Sequence, residues 1–157
     1  MNTKQREWVP TEKWVLRLLA LSDYVSKWSK DPSTQCGAVV ALSKRDLYFG
    51  YNGFPENLED KREWLEDRSI KYPNIIHAED NAIRNMGCPA TGGSIFVNNT
   101  PCESCTDLLI EKGIKRIYFI DREDTNFNKR WGCEDSKQKA LEKNVLWQPV
   151  SYKLLDK

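Results

Sequence analysis

"GSIFVNNTPCESCTDLLIEKGIKRIYFI", residues 93–120, reads as strand, helix, strand. The apolar run within 93–99 suits a short buried strand, and 114–120 suits a second. Between them, 102–113 has a helical pattern, with Pro101 at its entrance and Gly113 at the C′ position where a helix commonly stops. Upstream, "GAVVAL" (37–42) and "DLYFGYN" (46–52) predict two more strands, joined as a hairpin by the polar link "SKR". Residues 11–29 place Trp14, Leu18, Leu21, Val25 and Trp28 at helical spacing, with Thr11 as N-cap and Asp31-Pro32 as the stop. Residues 53–74 are polar and rich in turn signals, and are expected to form a partly helical insertion or a lid. A helix is predicted from His77 to Met86, ended by Gly87 and Pro89. Residues 121–130 read as irregular, 131–144 as helix and 145–150 as a last strand, placed at an edge by Pro149. The order α-β-β-α-β-α-β-α-β predicts one mixed sheet covered by helices, in a single domain over 1–157.

Bulk properties narrow the function. The chain has 157 residues, with 24 Lys+Arg against 23 Asp+Glu and a formal charge of +1. That length suits one well-formed core. No basic run provides the counterion-release footprint of a polynucleotide binder, so no nucleic-acid partner is expected. No apolar stretch is long enough to cross a bilayer, and "MNTKQREWVP" lacks a signal-peptide core, so no membrane association is expected. Five cysteines, two of them in C-x-x-C, suit a reducing compartment and a cytoplasmic location, where such residues serve as ligands or reactive thiols.

The only histidine, His77, lies in "NIIHAEDNAI" (74–83) and opens a predicted helix. Cys102 and Cys105 open another, one turn apart, so both sulfurs lie on one face. Both helix starts are expected to follow strand ends, where open α/β sheets place their sites. A helix N-terminus favours thiolates, and zinc takes thiolate and imidazole together. Three protein ligands leave a fourth position for water, which zinc acidifies toward neutral pH. Glu79, two residues from His77, can then take the water's proton and hand it to a leaving group. H-x-E followed by P-C-x-x-C is the signature of zinc deaminases. A redox pair at Cys102 and Cys105 would leave the His-x-Glu unexplained. A non-catalytic zinc module would need a fourth ligand, such as Cys36 or Cys88, and gives Glu79 no role.

"SKDPSTQCGAVV", "GYNGFP", "KYPNIIHAEDNAI", "PCESC" and "GIKRIYFI" resemble successive motifs of the deoxycytidylate (dCMP) deaminase family, over roughly residues 29–120. The resemblance implies a three-layer α/β/α cytidine-deaminase-like fold with a mixed five-stranded sheet. It implies a hydrolase acting on a cyclic amidine C–N bond: dCMP gives dUMP and ammonia, supplying thymidylate synthesis. His77, Cys102 and Cys105 become the ligands of Zn2+, and Glu79 the catalytic proton shuttle. Asn52 matches the position that hydrogen-bonds the sugar 3′-hydroxyl, and the Ala78 N–H faces the pyrimidine carbonyl. Lys30, Ser33 and Thr34 are the expected 5′-phosphate contacts. Gly50, Tyr51, Asn52 and Gly53 become candidate contacts for a regulatory nucleotide, dCTP activating and dTTP inhibiting with Mg2+, in a homohexamer. Asp80 departs from the apolar residue common at its position. Some phage relatives add a second zinc through an extra histidine. This chain has none, so one zinc per subunit is expected, with Cys36, Cys88 and Cys133 as buried or incidental thiols. The rival substrates are dCTP and a nucleic-acid base. The latter would use stacking aromatics such as Tyr51, Phe54, Trp64 or Trp131 beside a basic groove.

Overall fold

The computed structural model describes residues 7–155. The first six residues of the opening stretch, and the last two of the single domain expected over 1–157, lie outside it. The elements run α1 (Glu12–Ser26), β1 (Gly37–Ser43), β2 (Asp46–Tyr51), α2 (Arg62–Glu66), α3 (Arg68–Asn74), α4 (Ala78–Arg84) and β3 (Ser94–Val97). They continue with α5 (Glu103–Glu111), β4 (Arg116–Asp121), α6 (Thr125–Arg130), α7 (Cys133–Glu142) and β5 (Leu146–Ser151), then a 3-10 turn over Tyr152–Leu154. The strands form one sheet in the order β2-β1-β3-β4-β5. β1 is antiparallel to both β2 and β3, while β3, β4 and β5 run parallel.

The sheet is mixed because its connections differ in length. A two-stranded hairpin can close in a few residues, whereas parallel strands need a crossover, which α5 and then α6–α7 provide. Side chains alternate between the faces. Ala38, Val40, Ile95, Val97, Ile117 and Phe119 point to a core shared with Ala78, Ala82, Leu109 and Ala140 of α4, α5 and α7. Val39, Ala41, Phe96, Tyr118 and Ile120 point the other way, onto Val15, Leu18 and Leu19 of α1. Helices thus cover both faces, giving three layers.

Three expectations need correction. The buried face of α1 is centred on Val15, Leu18, Leu19, Ser22, Val25 and Ser26, while Trp28 is half exposed. Small serines win that face because α1 lies directly on Gly37, where a Cβ would collide with the Ser22 carbonyl and sit 2.6 Å from the Ser26 nitrogen. Residues 121–130 are not irregular throughout: Asp124 caps α6 by accepting from Phe127 N at 3.0 Å. And α4 follows helix α3, not a strand. An isolated bridge between Gly53 and Ile76 extends the end of β2 instead and delivers His77 to the sheet edge.

Gly113 stops α5 as its position predicts. It adopts φ +87°, and Ile114 N donates back to Leu109 O at 3.0 Å, closing a Schellman cap. Pro149 lies in edge strand β5, also as predicted.

Candidate metal centre

One end of the sheet gathers the chemistry-bearing residues. β3 ends at Val97, and the loop that follows leads to Cys102, the N-cap residue of α5. The start of antiparallel β1 lies alongside, tied by Gly37 N donating to Asn98 Oδ1 at 2.8 Å. β2 ends here too, so Cys36 and Asn52 face the same space. His77 occupies the N-cap position of α4.

His77, Cys102 and Cys105 bring their ligand atoms within 4.8 Å of one another. His77 Nδ1 lies 3.4 Å from Cys102 Sγ and 3.2 Å from Cys105 Sγ. A tetrahedral zinc with its usual bond lengths would set nitrogen and sulfur about 3.5 Å apart, so the donor set fits that ion. Both cysteines are buried. Hydrogen bonding from Cys105, and then from His77 and Ser104, outweighs burial and holds the Cys102 thiol down to about 3. The Cys105 thiol is pushed up, first by its hydrogen bond to Cys102 and then by burial. His77 is raised to about 9, chiefly by its hydrogen bond to Cys102. The three groups therefore share protons around one stabilised thiolate, and a cation entering the cluster would displace those protons.

Glu79 is 5% exposed, on the first turn of α4. Burial pushes its carboxyl up, and the Cys102 sulfur adds to that. A carboxyl raised in this way is better suited to taking and returning a proton than an exposed glutamate.

These groups open on a cavity of about 480 Å³. Asn52 and Ala78 line it, as expected. Asn52 is nearly engaged: Oδ1 accepts from Cys36 N at 2.9 Å, and Nδ2 donates to Asp31 Oδ2 at 3.2 Å and Thr34 O at 2.9 Å. Both amide hydrogens are used, which leaves the second lone pair of Oδ1 to accept from a hydroxyl. Ser33 and Thr34 also line the cavity. The Ser33 hydroxyl is bound between Asp31 Oδ1 (3.0 Å) and Lys71 Nζ (2.7 Å).

Lys30 is not brought to the site. Its side chain is exposed and pairs with Asp60 at 3.2 Å, facing a separate polar hollow. Asp31 next to it turns inward and is buried, so the extended loop aims Lys30 the opposite way. The ammonium that does reach the cavity is Lys71, buried and paired with Asp31 at 2.8 Å.

The candidate effector residues also divide. Gly50 is buried under α4, where a Cβ would strike the Ala82 backbone, so it offers no surface to a ligand. Gly53 spends its N–H and C=O on Ile76, at 3.1 and 2.8 Å. Tyr51 alone presents an exposed ring, packed edge-on against Trp28. Cys36 is pushed up to about 12, by burial first and then by Glu79, and stays a thiol. Cys133 is buried and Cys88 is exposed.

Several lining residues were not singled out from sequence: Lys71, Asn99, Arg68 and Arg130. Lys71 stood within a quoted motif, "KYPN", without a role. Asn99 and Thr100 line the cavity simply by following β3, a place that strand ends mark. Trp131, named above among the stacking aromatics of the nucleic-acid rival, roofs the cavity with its ring 5.5 Å from that of His77.

Comparison with known proteins agrees with this arrangement. Residues 12–121 match the model of the cytidine and deoxycytidylate deaminase zinc-binding region. An Aliivibrio fischeri protein named "uncharacterized deaminase in luxG 3′ region" is 38% identical over 120 residues, covering 76% of this chain and 80% of that one. The deoxycytidylate deaminase of Homo sapiens is 35% identical over 115 residues, 69% of this chain and 65% of that protein. The chain spans 57% to 65% of the length of the nematode, mouse and human relatives that bear that name, so each has sequence with no counterpart in the match. A crystal structure of dCMP deaminase from the cyanophage S-TIM5 superposes with a TM-score of 0.71 at 18% identity, over 90% of this chain and all of that one, and shares the α/β/α fold.

Proposed function

Because the chain belongs to the cytidine and deoxycytidylate deaminase family, we propose that it is a zinc-dependent enzyme converting dCMP to dUMP and ammonia. The observation that carries this reading is the His77–Cys102–Cys105 cluster, its two cysteines buried, with buried Glu79 beside it at the head of a nucleotide-sized cavity. His77, Cys102 and Cys105 would hold the zinc, which when bound would acidify a water to serve as nucleophile. Glu79 takes one proton from the attacking water and passes it to the ring nitrogen N3 as oxygen bonds to C4. It then takes the second and passes it to the amino group, which leaves as ammonia when the C4–N bond breaks. The Ala78 N–H, at the open start of α4, donates to the pyrimidine carbonyl. Asn52 Oδ1 accepts from the sugar 3′-hydroxyl. Ser33 and Thr34 meet the 5′-phosphate, with Arg68 and Arg130 at the rim in place of Lys30.

Regulation by dCTP and dTTP with Mg2+, a homohexamer and a cytoplasmic location complete the reading. Regulation and assembly rest on the motif resemblance, with Tyr51 the effector contact whose side chain is accessible, and the location rests on the cysteine usage. No helix among the described residues is long and apolar enough to cross a membrane.

The test is the fall in ultraviolet absorbance on deamination, with dCMP, deoxycytidine, cytidine and dCTP as substrates, with and without dCTP or dTTP plus Mg2+. Turnover preferring dCMP is expected. No turnover of any mononucleotide by zinc-loaded protein would redirect the reading to a nucleic-acid base or a zinc-stabilised binding module. Glu79→Ala separates the last case: an enzyme loses roughly 10²–10⁴-fold in rate while keeping its zinc and its fold.

A further inference from the structure

Trp131 meets both halves of the metal donor set. Its indole stands edge-to-face with the His77 imidazole, centroids 5.5 Å apart and planes at 87°. Its backbone carbonyl accepts from Glu103 N at 3.2 Å, and Glu103 is the first residue of α5, next to Cys102. One residue thus touches His77 through its ring and the cysteine-bearing helix through its backbone. It lies beyond residues 12–121, the span of the family match.

His77 needs such a contact. Nδ1 is the nitrogen that faces both thiols. A metal-binding histidine is ordinarily oriented by a hydrogen bond from its other ring nitrogen to a carboxylate, carbonyl or water. Among the described residues, His77 Nε2 has no protein hydrogen-bond partner, and it is not sealed from solvent, since no buried side-chain nitrogen is left without one. The hold that the protein itself has on the ring plane is therefore packing, and Trp131 is the aromatic neighbour packed against it, at a separation typical of edge-to-face pairs.

We propose that Trp131 is a positioning residue for the metal centre: it holds the imidazole plane so that Nδ1 faces Cys102 and Cys105, and fixes that orientation relative to the start of α5. The roof around it is otherwise lightly anchored, since α6 buries none of its residues. Tyr72, 5.8 Å away, and Phe127, 6.4 Å away, pack on Trp131 from two sides. The inference rests on the metal-binding reading of the cluster and is independent of which nucleotide is deaminated.

The experiment is competition for zinc between the full chain and a chromophoric chelator, together with the absorption spectrum of the Co2+-substituted protein as a report on ligand geometry. Trp131→Ala is expected to weaken zinc binding roughly ten-fold, the low end of the loss when an orienting partner of a metal-bound histidine is removed, and to alter the cobalt spectrum. Trp131→Phe keeps a ring in place and should stay close to wild type. Tyr72→Ala, which removes a ring packed on Trp131 but leaves the Trp131 ring beside His77, should weaken binding by less than Trp131→Ala does. If circular dichroism shows Trp131→Ala unfolded, Trp131→Leu, which fills the space without a ring, is held to the same expectation. Wild-type affinity and spectrum in the ring-less variant would overturn the proposal, as would an equal loss in Tyr72→Ala. A wild-type chain that binds no zinc would instead overturn the metal centre itself.

Discussion

Asp31 shows how much one buried carboxylate can organise. It accepts from Ser33 N, Ser33 Oγ, Thr34 N, Asn52 Nδ2 and Lys71 Nζ, so the loop before β1, the end of β2 and helix α3 converge on a single group. Burial pushes its carboxyl up, but Lys71 and the two amides outweigh that and leave it below its ordinary value of 3.8. A carboxylate whose folded pKa is depressed adds stability above its unfolded pKa and loses it as pH falls through the folded one. Denaturant titrations of wild type and Asp31→Asn should therefore differ most at neutral pH, and the gap should close below about pH 3.8. Lys71→Met, which leaves Asp31 buried and unpaired, should cost about 3–5 kcal/mol at pH 7. A gap that stayed constant into acid would show that Asp31 acts through shape and not charge. Lys30 and Lys71 are equally cationic in the sequence. Only the direction in which the loop turns decides which of them reaches the cavity.

At the scale of elements, β2 and α4 act as a unit. Gly50 lets the α4 backbone lie directly on the strand, and Asn81 and Asn85 donate to the Tyr51 and Phe49 carbonyls at 2.8 and 2.7 Å. These carboxamides cover acceptors that an edge strand would otherwise leave open to pairing with another chain. Because α4 carries His77 at its cap and Glu79 in its first turn, whatever lifts α4 also displaces the site. Gly50→Ala should lower stability by roughly 1–3 kcal/mol or more, since backbone and not a flexible side chain stands in the way, and should weaken zinc binding with it. Gly87→Ala, where a Cβ meets nothing within 4 Å, serves as the control and should be neutral. Thermal melts of the two variants settle the comparison: equal melting temperatures would mean that α4 shifts without cost.

Across the whole molecule, the donor set cross-links distant chain. His77 and Cys102 are 25 residues apart, and they start different helices. A metal that binds only when both helix starts are in place stabilises the fold through that linkage. At free zinc one hundred times its Kd, the gain is about 2.7 kcal/mol. In a domain of this size that corresponds to roughly 5–10 °C in Tm. Chelation should lower Tm by that order and added Zn2+ should restore it, with one zinc bound per chain. Two tightly bound zincs, or a melt indifferent to the chelator, would contradict the single bridging site.

The sequence by itself determined the strand alternation that splits the core into two faces, the start of α1 after Thr11 (whose side chain makes no cap hydrogen bond), the stop at Gly113, and the donor set His77, Cys102 and Cys105. Each is a local pattern: a period of two or 3.6, or a spacing within one helical turn. Tertiary structure alone decided that Ser22 and Ser26 are buried while Trp28 is half exposed, that Gly50 is packing surface, that Lys71 and not Lys30 reaches the cavity, and that Trp131 stands over His77. Those outcomes depend on which distant segment lies against a residue, such as Gly37 beneath Ser22 or residue 131 above residue 77. Neighbouring residues along the chain carry no periodic or spacing signal for contacts made across 15 to 54 positions of sequence.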